Sequence, residues 1–117
     1  MRRPALVLLV ALSLSPVPAG AAEPEVSMVN VRFDPEEVGV GAGGTITWVN
    51  DDSMPHEITA DDGSFDSSPT CEAATGTGCM APGDSWTHTF RRAGRYPYYC
   101  QLHGSPGKGM TGVVTVG

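Results

Sequence analysis

The stretch Tyr96-Pro97-Tyr98-Tyr99-Cys100-Gln101-Leu102-His103-Gly104-Ser105-Pro106-Gly107-Lys108-Gly109-Met110-Thr111-Gly112-Val113-Val114-Thr115-Val116 holds two runs of alternating character around a glycine-rich segment. With a period of two, Tyr96, Tyr98 and Cys100 share one face of the first run, and Val114 and Val116 point inward in the second. Pro97 has no amide to give to a ladder, so its amide position must face away from a partner strand. The segment between brings a thiol, an imidazole and a thioether into one short loop, as Cys100, His103 and Met110.

The same alternation extends upstream. Val29, Val31 and Phe33 predict one face of an early strand that stops at Asp34-Pro35, and Glu37–Val40 predicts a short second strand. Thr45–Asn50 follows, with Ile46 and Trp48 facing one way, then His56–Ala60 after a bend at Asp51–Pro55. Ser85–Phe90 alternates again, with Trp86, His88 and Phe90 on one face. Asp61 to Ala81 is polar, glycine-rich and long for a loop, which points to a function or a covalent constraint. The 15 Gly and 10 Pro in 117 residues speak against a helical bundle. The expected fold is an all-β Greek-key sandwich of about seven to eight strands.

Met1-Arg2-Arg3, the apolar run Leu6–Leu12 and the small residues Ala19-Gly20-Ala21 have the pattern of a secretory signal peptide over residues 1–22, leaving one domain over residues 23–117. Export to the periplasm, extracellular space or cell surface is therefore expected. The full chain carries 7 basic against 13 acidic residues, a formal charge of −6, and loss of Arg2 and Arg3 takes the domain to −8. This balance excludes sequence-independent binding to nucleic acid, which needs a basic footprint. The acidic residues, Asp51-Asp52 and Asp61-Asp62 among them, either favour basic partners or simply keep the chain soluble.

Met54-Pro55-His56 begins a strand that could lie beside the Cys100–Met110 loop. Two histidines, one thiolate and a weak axial methionine are the ligand set of a blue-copper site. Thiolate and thioether are soft and favour Cu(I), while two imidazoles retain Cu(II). Zinc is the alternative metal, but a thioether adds little to a zinc site. A Cys/His nucleophile pair needs a third orienting group and a substrate pocket, and neither is visible, so no enzymatic activity and no small-molecule substrate are expected. With three His in the chain, a second copper cluster of the oxidase type is excluded.

The stretch Tyr96–Val116 resembles the C-terminal signature of the plastocyanin/azurin-like cupredoxins: aromatic-x-aromatic-x-Cys, x-x-His, a glycine-rich loop, then Gly-Met-x-Gly-x-Val-x-Val. Thr47–Asn50 with Pro55-His56 is similar to the family's first-ligand region, and Gly83–Trp86, Phe90 and Gly94 match the strand and turn between. The resemblance implies His56, Cys100, His103 and Met110 as ligands of one copper ion. Six residues separate His103 from Met110, more than in the plastocyanin type. Glu57 stands where relatives often have a smaller hydrogen-bonding side chain, and Asn50 is the candidate to supply part of the polar link to the Cys loop.

Cys100 could pair with Cys71 or Cys79, but Cys71–Cys79 closes a compact polar loop, and the odd count of three then leaves Cys100 free for metal. Met54 and Met80 are rival axial residues outside the loop, and His88 is expected to pack on its strand. The resemblance implies an exported, monomeric carrier of single electrons between redox proteins such as a cytochrome or a membrane electron-transfer complex. The transfer would be outer-sphere near His103. Gly104, Pro106 and Gly107 would keep that region low in bulk, and Met54, Pro55 and Met110 would form an apolar docking patch. A copper-binding or copper-delivery protein without an electron-transport role is the alternative.

Overall fold

A computed structural model describes residues 23–117; the signal-peptide expectation for residues 1–22 lies outside the described residues. Eight strands form two four-stranded sheets, and the described residues contain no helix. The strands are β1 (Glu25–Val29), β2 (Arg32–Asp34), β3 (Glu37–Val40), β4 (Gly44–Asn50), β5 (Thr59–Ala60), β6 (Ser85–Phe90), β7 (Gly94–Ser105) and β8 (Lys108–Val116). One sheet runs β2-β1-β4-β6 and the other β3-β8-β7-β5. Two parallel pairings, β1 with β4 and β3 with β8, join strands distant in the chain.

The inward faces follow parity. Val26 and Met28 on β1, Ile46 and Trp48 on β4, Phe90 on β6, Tyr98 and Cys100 on β7, and Val114 and Val116 on β8 are buried in one cluster. Trp48 has no exposed surface; it meets the Tyr98 ring edge-on at 5.6 Å and donates its indole N–H to the Tyr98 hydroxyl at 3.2 Å. That bond satisfies the polar end of each ring where water is excluded. Phe65 is the apolar anchor of the long polar segment, packed between His88 and Phe90 with centroids 5.0 and 5.3 Å away. His88 stacks on Trp86 as well, at 5.4 Å, and so serves as a packing residue on β6.

Two expectations are corrected. The early strand over Val29–Phe33 is a hairpin: β1 and β2 pair antiparallel with Val29 opposite Arg32, and Asn30 and Val31 form the turn at φ 54° and 56°. A β-branched residue rarely accepts that region, and so the alternation of valines reads as continuous strand. The second correction concerns residues 104–109, read as loop. They form a tight hairpin end in which Ser105 pairs with Lys108 across Pro106-Gly107. Proline fixes the first central position and Gly107, at φ 74°, supplies the left-handed second, as a type II turn requires.

The β7–β8 ladder is regular from Gly94–Val116 to Tyr99–Thr111 and resumes at Gly104–Gly109. Cys100, Gln101, Leu102 and His103 thus oppose Met110 alone, and β7 bulges between two fixed points. Gly109 holds the second point. It sits at φ 77°, and a methyl group there would strike the His103 carbonyl oxygen. Gly107→Ala is expected to cost about 1–2 kcal/mol, the left-handed penalty alone, because open space surrounds that position. Gly109→Ala should cost distinctly more in urea unfolding, and equal losses would show that the His103 carbonyl is free to yield.

His88 gives a pH signature. Burial lowers its pKa, so the folded protein disfavours the imidazolium. Its contribution to stability is full above the unfolded value of about 6.5 and is lost as pH falls through the lower folded value. His88→Phe should flatten the decline in melting temperature of the metal-free protein below pH 6.5; an unchanged slope would place that acid sensitivity elsewhere.

Candidate metal centre

Cys100 enters the core by the parity of β7, two residues beyond Tyr98, and is fully buried. It is the free cysteine of the chain, since Cys71 and Cys79 are joined in a disulfide with Cα atoms 4.4 Å apart. His103 closes the bulge and remains half-buried. His56 arrives from the other end of the sequence. Its backbone exchanges two hydrogen bonds with Met80, N–H to the Met80 carbonyl at 3.1 Å and carbonyl from the Met80 N–H at 2.9 Å. This isolated bridge replaces the longer strand expected over His56–Ala60, of which only Thr59–Ala60 is β5.

Cys100 Sγ lies 3.8 Å from His56 Nδ1 and 3.7 Å from His103 Nδ1. The three residues can hold a metal ion, with their donor atoms all within 4.8 Å of one another. Bond lengths of about 2.0 Å to nitrogen and 2.3 Å to sulfur, those of zinc sites, at a trigonal angle put nitrogen and sulfur about 3.7 Å apart. Both sulfur–nitrogen separations match that value, so the two histidines and the cysteine fit a metal ion. Met110, expected as the fourth ligand, is buried at the start of β8 opposite the bulge and belongs to the same buried cluster as Cys100. Of its rivals, Met54 is 36% exposed, while Met80 is buried beside His56.

Burial raises the Cys100 thiol pKa, and burial followed by the neighbouring His56 lowers that of His103. The metal-free site thus favours a neutral thiol and a neutral imidazole. Cys100 would therefore give up its thiol proton on holding a cation, whereas His103 would have none to lose, so that proton release would accompany metal binding.

The polar frame differs from expectation. Asn50 does not reach the Cys loop. Its Nδ2 donates to the carbonyl oxygens of Met54 and Met80, at 2.9 and 3.0 Å, and its Oδ1 accepts the Asp52 N–H at 3.0 Å. It fixes the bend before His56. The link to the Cys loop is made by Glu57, which has no exposed surface: Oε2 accepts the Gln101 N–H at 2.7 Å and Oε1 accepts the Thr59 hydroxyl at 2.5 Å. Gln101 in turn donates from Nε2 to the Cys71 carbonyl oxygen at 3.3 Å, and a methyl group at Gly76 would meet the Pro55 ring and reach Leu102. The disulfide loop therefore borders both ligand-bearing segments.

Sequence reasoning missed Asp52. Its Oδ2 lies 2.8 Å from His56 Nε2 and accepts the Val31 N–H at 2.9 Å. The only signal in the chain is a carboxylate four residues before His56, in a bend where that spacing carries no regular geometry. Two surface expectations also change. Met110 is only 3% exposed and cannot contribute to an apolar docking patch, whereas Leu102 is half-buried beside His103. Gly104 is small because β8 is close: a methyl group there would meet the Lys108 carbonyl oxygen and come within 2.8 Å of the Met110 amide.

Comparison with known proteins agrees with this geometry. A family model described as copper binding proteins of the plastocyanin/azurin family matches residues 21–117. The plastocyanin of Scenedesmus fuscus is 40% identical over 85 residues, covering 72% of this chain and 85% of that one. The amicyanin of Paracoccus denitrificans is 31% identical over 78 residues, covering 67% of this chain and 56% of that one. Among solved structures, a purple cupredoxin from Nitrosopumilus maritimus superposes with a TM-score of 0.64 and 29% identity, over 81% of this chain and 100% of that one. With its two β-sheets, its His-Cys-His cluster and these likenesses, the chain belongs to the plastocyanin/azurin family of copper-binding proteins, the cupredoxins.

Proposed function

We propose that the chain is an exported mononuclear blue-copper protein that carries single electrons between larger redox proteins, with His56, Cys100, His103 and Met110 as its copper ligands. The observation that carries this reading is a buried, unpaired thiol 3.7–3.8 Å from two imidazole nitrogens. Copper, when bound there, supplies a one-electron couple between Cu(I) and Cu(II). The protein's own part is to keep the donors in place through that change. His56 is held by the Met80 bridge, Cys100 by the ladder that ends beside it at Tyr99–Thr111, and His103 by the hairpin that begins at Gly104.

His103 is the more exposed of the two histidines and offers the short outer-sphere path to a partner. Half-buried Pro55 and Leu102 and exposed Met54 give the adjoining apolar surface, of the small, transient kind. No substrate chemistry is assigned, and the redox partners, a cytochrome or a membrane electron-transfer complex, are inferred from the kinship with plastocyanin and amicyanin. A monomer working in the periplasm or at the cell surface completes the reading.

Addition of Cu(II) to the metal-free protein should give an intense visible thiolate-to-copper band that Cys100→Ser abolishes. A colourless complex, or binding of Cu(I) alone, would overturn the electron-carrier reading in favour of copper delivery. The link between the two ligand segments has its own test. Glu57→Ala leaves the part-buried Gln101 N–H without its acceptor and should lower the unfolding free energy of the metal-free protein by about 1–3 kcal/mol. Glu57→Gln should cost less, since the amide can accept from Gln101 and donate to Thr59. Equal losses would mean that the carboxylate charge, rather than the hydrogen bonds, is what the site needs.

A further inference from the structure

We propose that Asp52 is a positioning residue for His56 that also biases the site toward the oxidised metal; the inference rests on the reading of His56 as a copper ligand. Its side chain is 13% exposed, and the Asp52–His56 contact is the one ion-pair contact within 4.0 Å among the described residues. An ionised carboxylate only accepts, so Nε2 of His56 carries the ring proton and donates it to Oδ2 at 2.8 Å. That leaves Nδ1 bare, and Nδ1 is the atom 3.8 Å from Cys100 Sγ. The bond thus selects the tautomer able to bind a metal and fixes the plane of the ring.

Asp52 is itself held at both its carboxylate and its backbone. Oδ2 accepts the Val31 N–H, the Asp52 N–H donates to Asn50 Oδ1, and Asn50 is anchored to the Met54 and Met80 carbonyls. Val31 sits at φ 56°, a conformation that a β-branched residue disfavours and that persists when its surroundings enforce it. The β1–β2 turn in this way directs an amide at the same oxygen that receives His56. Neighbouring Asp51 is occupied elsewhere, accepting the Ser27 hydroxyl at 2.6 Å. No lysine or arginine lies within 4.0 Å of the Asp52 carboxylate among the described residues, so no cationic side chain competes with the imidazole for it. A negative charge behind a ligating imidazole raises its basicity and stabilises the ion of higher charge more than that of lower charge.

The test separates charge from hydrogen bonding. Asp52→Asn can keep a carbonyl oxygen in place for both Val31 and His56 while removing the charge. We expect an intact visible band and fold, with the preference for Cu(II) over Cu(I) weakened about tenfold, which raises the reduction potential by about 59 mV. Long-range proton–nitrogen NMR of the metal-free parent should show His56 protonated at Nε2, and Asp52→Ala should mix its tautomers. An unmoved potential in Asp52→Asn with the band intact overturns the inference alone, as does a parent His56 protonated at Nδ1. A parent without the band defeats the copper reading, and this inference with it.

Discussion

The antiparallel ladder between β7 and β8 closes on both sides of Cys100–His103, at Tyr99–Thr111 and at Gly104–Gly109, so four residues must occupy the span of one. The excess has to bulge from the sheet, and both ends of the bulge are fixed by backbone hydrogen bonds. A metal site with a sulfur and a nitrogen three residues apart needs such a construction, because a regular strand would send Cys100 and His103 to opposite faces. The glycines at 104 and 109 serve this close approach, since a side chain at either would collide with the facing backbone. Met110 is the single β8 residue left opposite the bulge, and that register makes it the fourth member of the proposed set.

The remaining imidazole comes from 44 residues upstream and has to be brought to the bulge and held there. Three buried or mostly buried polar side chains do this, each by satisfying backbone groups that the irregular chain leaves open. Asn50 ties the bend at Met54 to Met80, Glu57 ties the His56 segment to Gln101, and Asp52 ties the β1–β2 turn to the His56 ring. Burying a carboxylate such as Glu57 is costly, and burial accordingly raises its pKa. Two accepted hydrogen bonds offset that cost. A frame with few unmet polar groups has little freedom to rearrange, as an electron-transfer site requires.

Several features were legible in the sequence because they depend on period-two parity and on local chemistry. The strands at Glu37–Val40, Thr45–Asn50 and Ser85–Phe90 coincide with β3, β4 and β6 to within a residue. The sandwich also follows from that alternation, whereas the grouping of His56, Cys100 and His103 was implied by their ligand chemistry and by the resemblance to the cupredoxins. The hairpin at Asn30-Val31 was hidden, because only tertiary contacts hold a valine at positive φ there. The roles of Asn50 and Glu57 were exchanged for a similar reason: both side chains can accept hydrogen bonds, and their targets lie on segments remote in sequence. Asp52 was read as one acid among 13 in the chain, since nothing local distinguishes a carboxylate that meets an imidazole from one that meets water.

By itself, then, the sequence determined the alternation that makes two sheets, the thiol–imidazole–thioether chemistry that suits copper, and a count of three cysteines that leaves one free once two pair. These are properties of residue type and spacing, which the chain carries before it folds. Only the tertiary structure decided which residue buttresses which ligand, that the glycine-rich segment is a bulged hairpin, and that Met110 is buried while Leu102 borders the surface. Such pairings are set by where two sheets meet and by which backbone groups would otherwise stay unsatisfied, and neither is written in the spacing of residues along a strand.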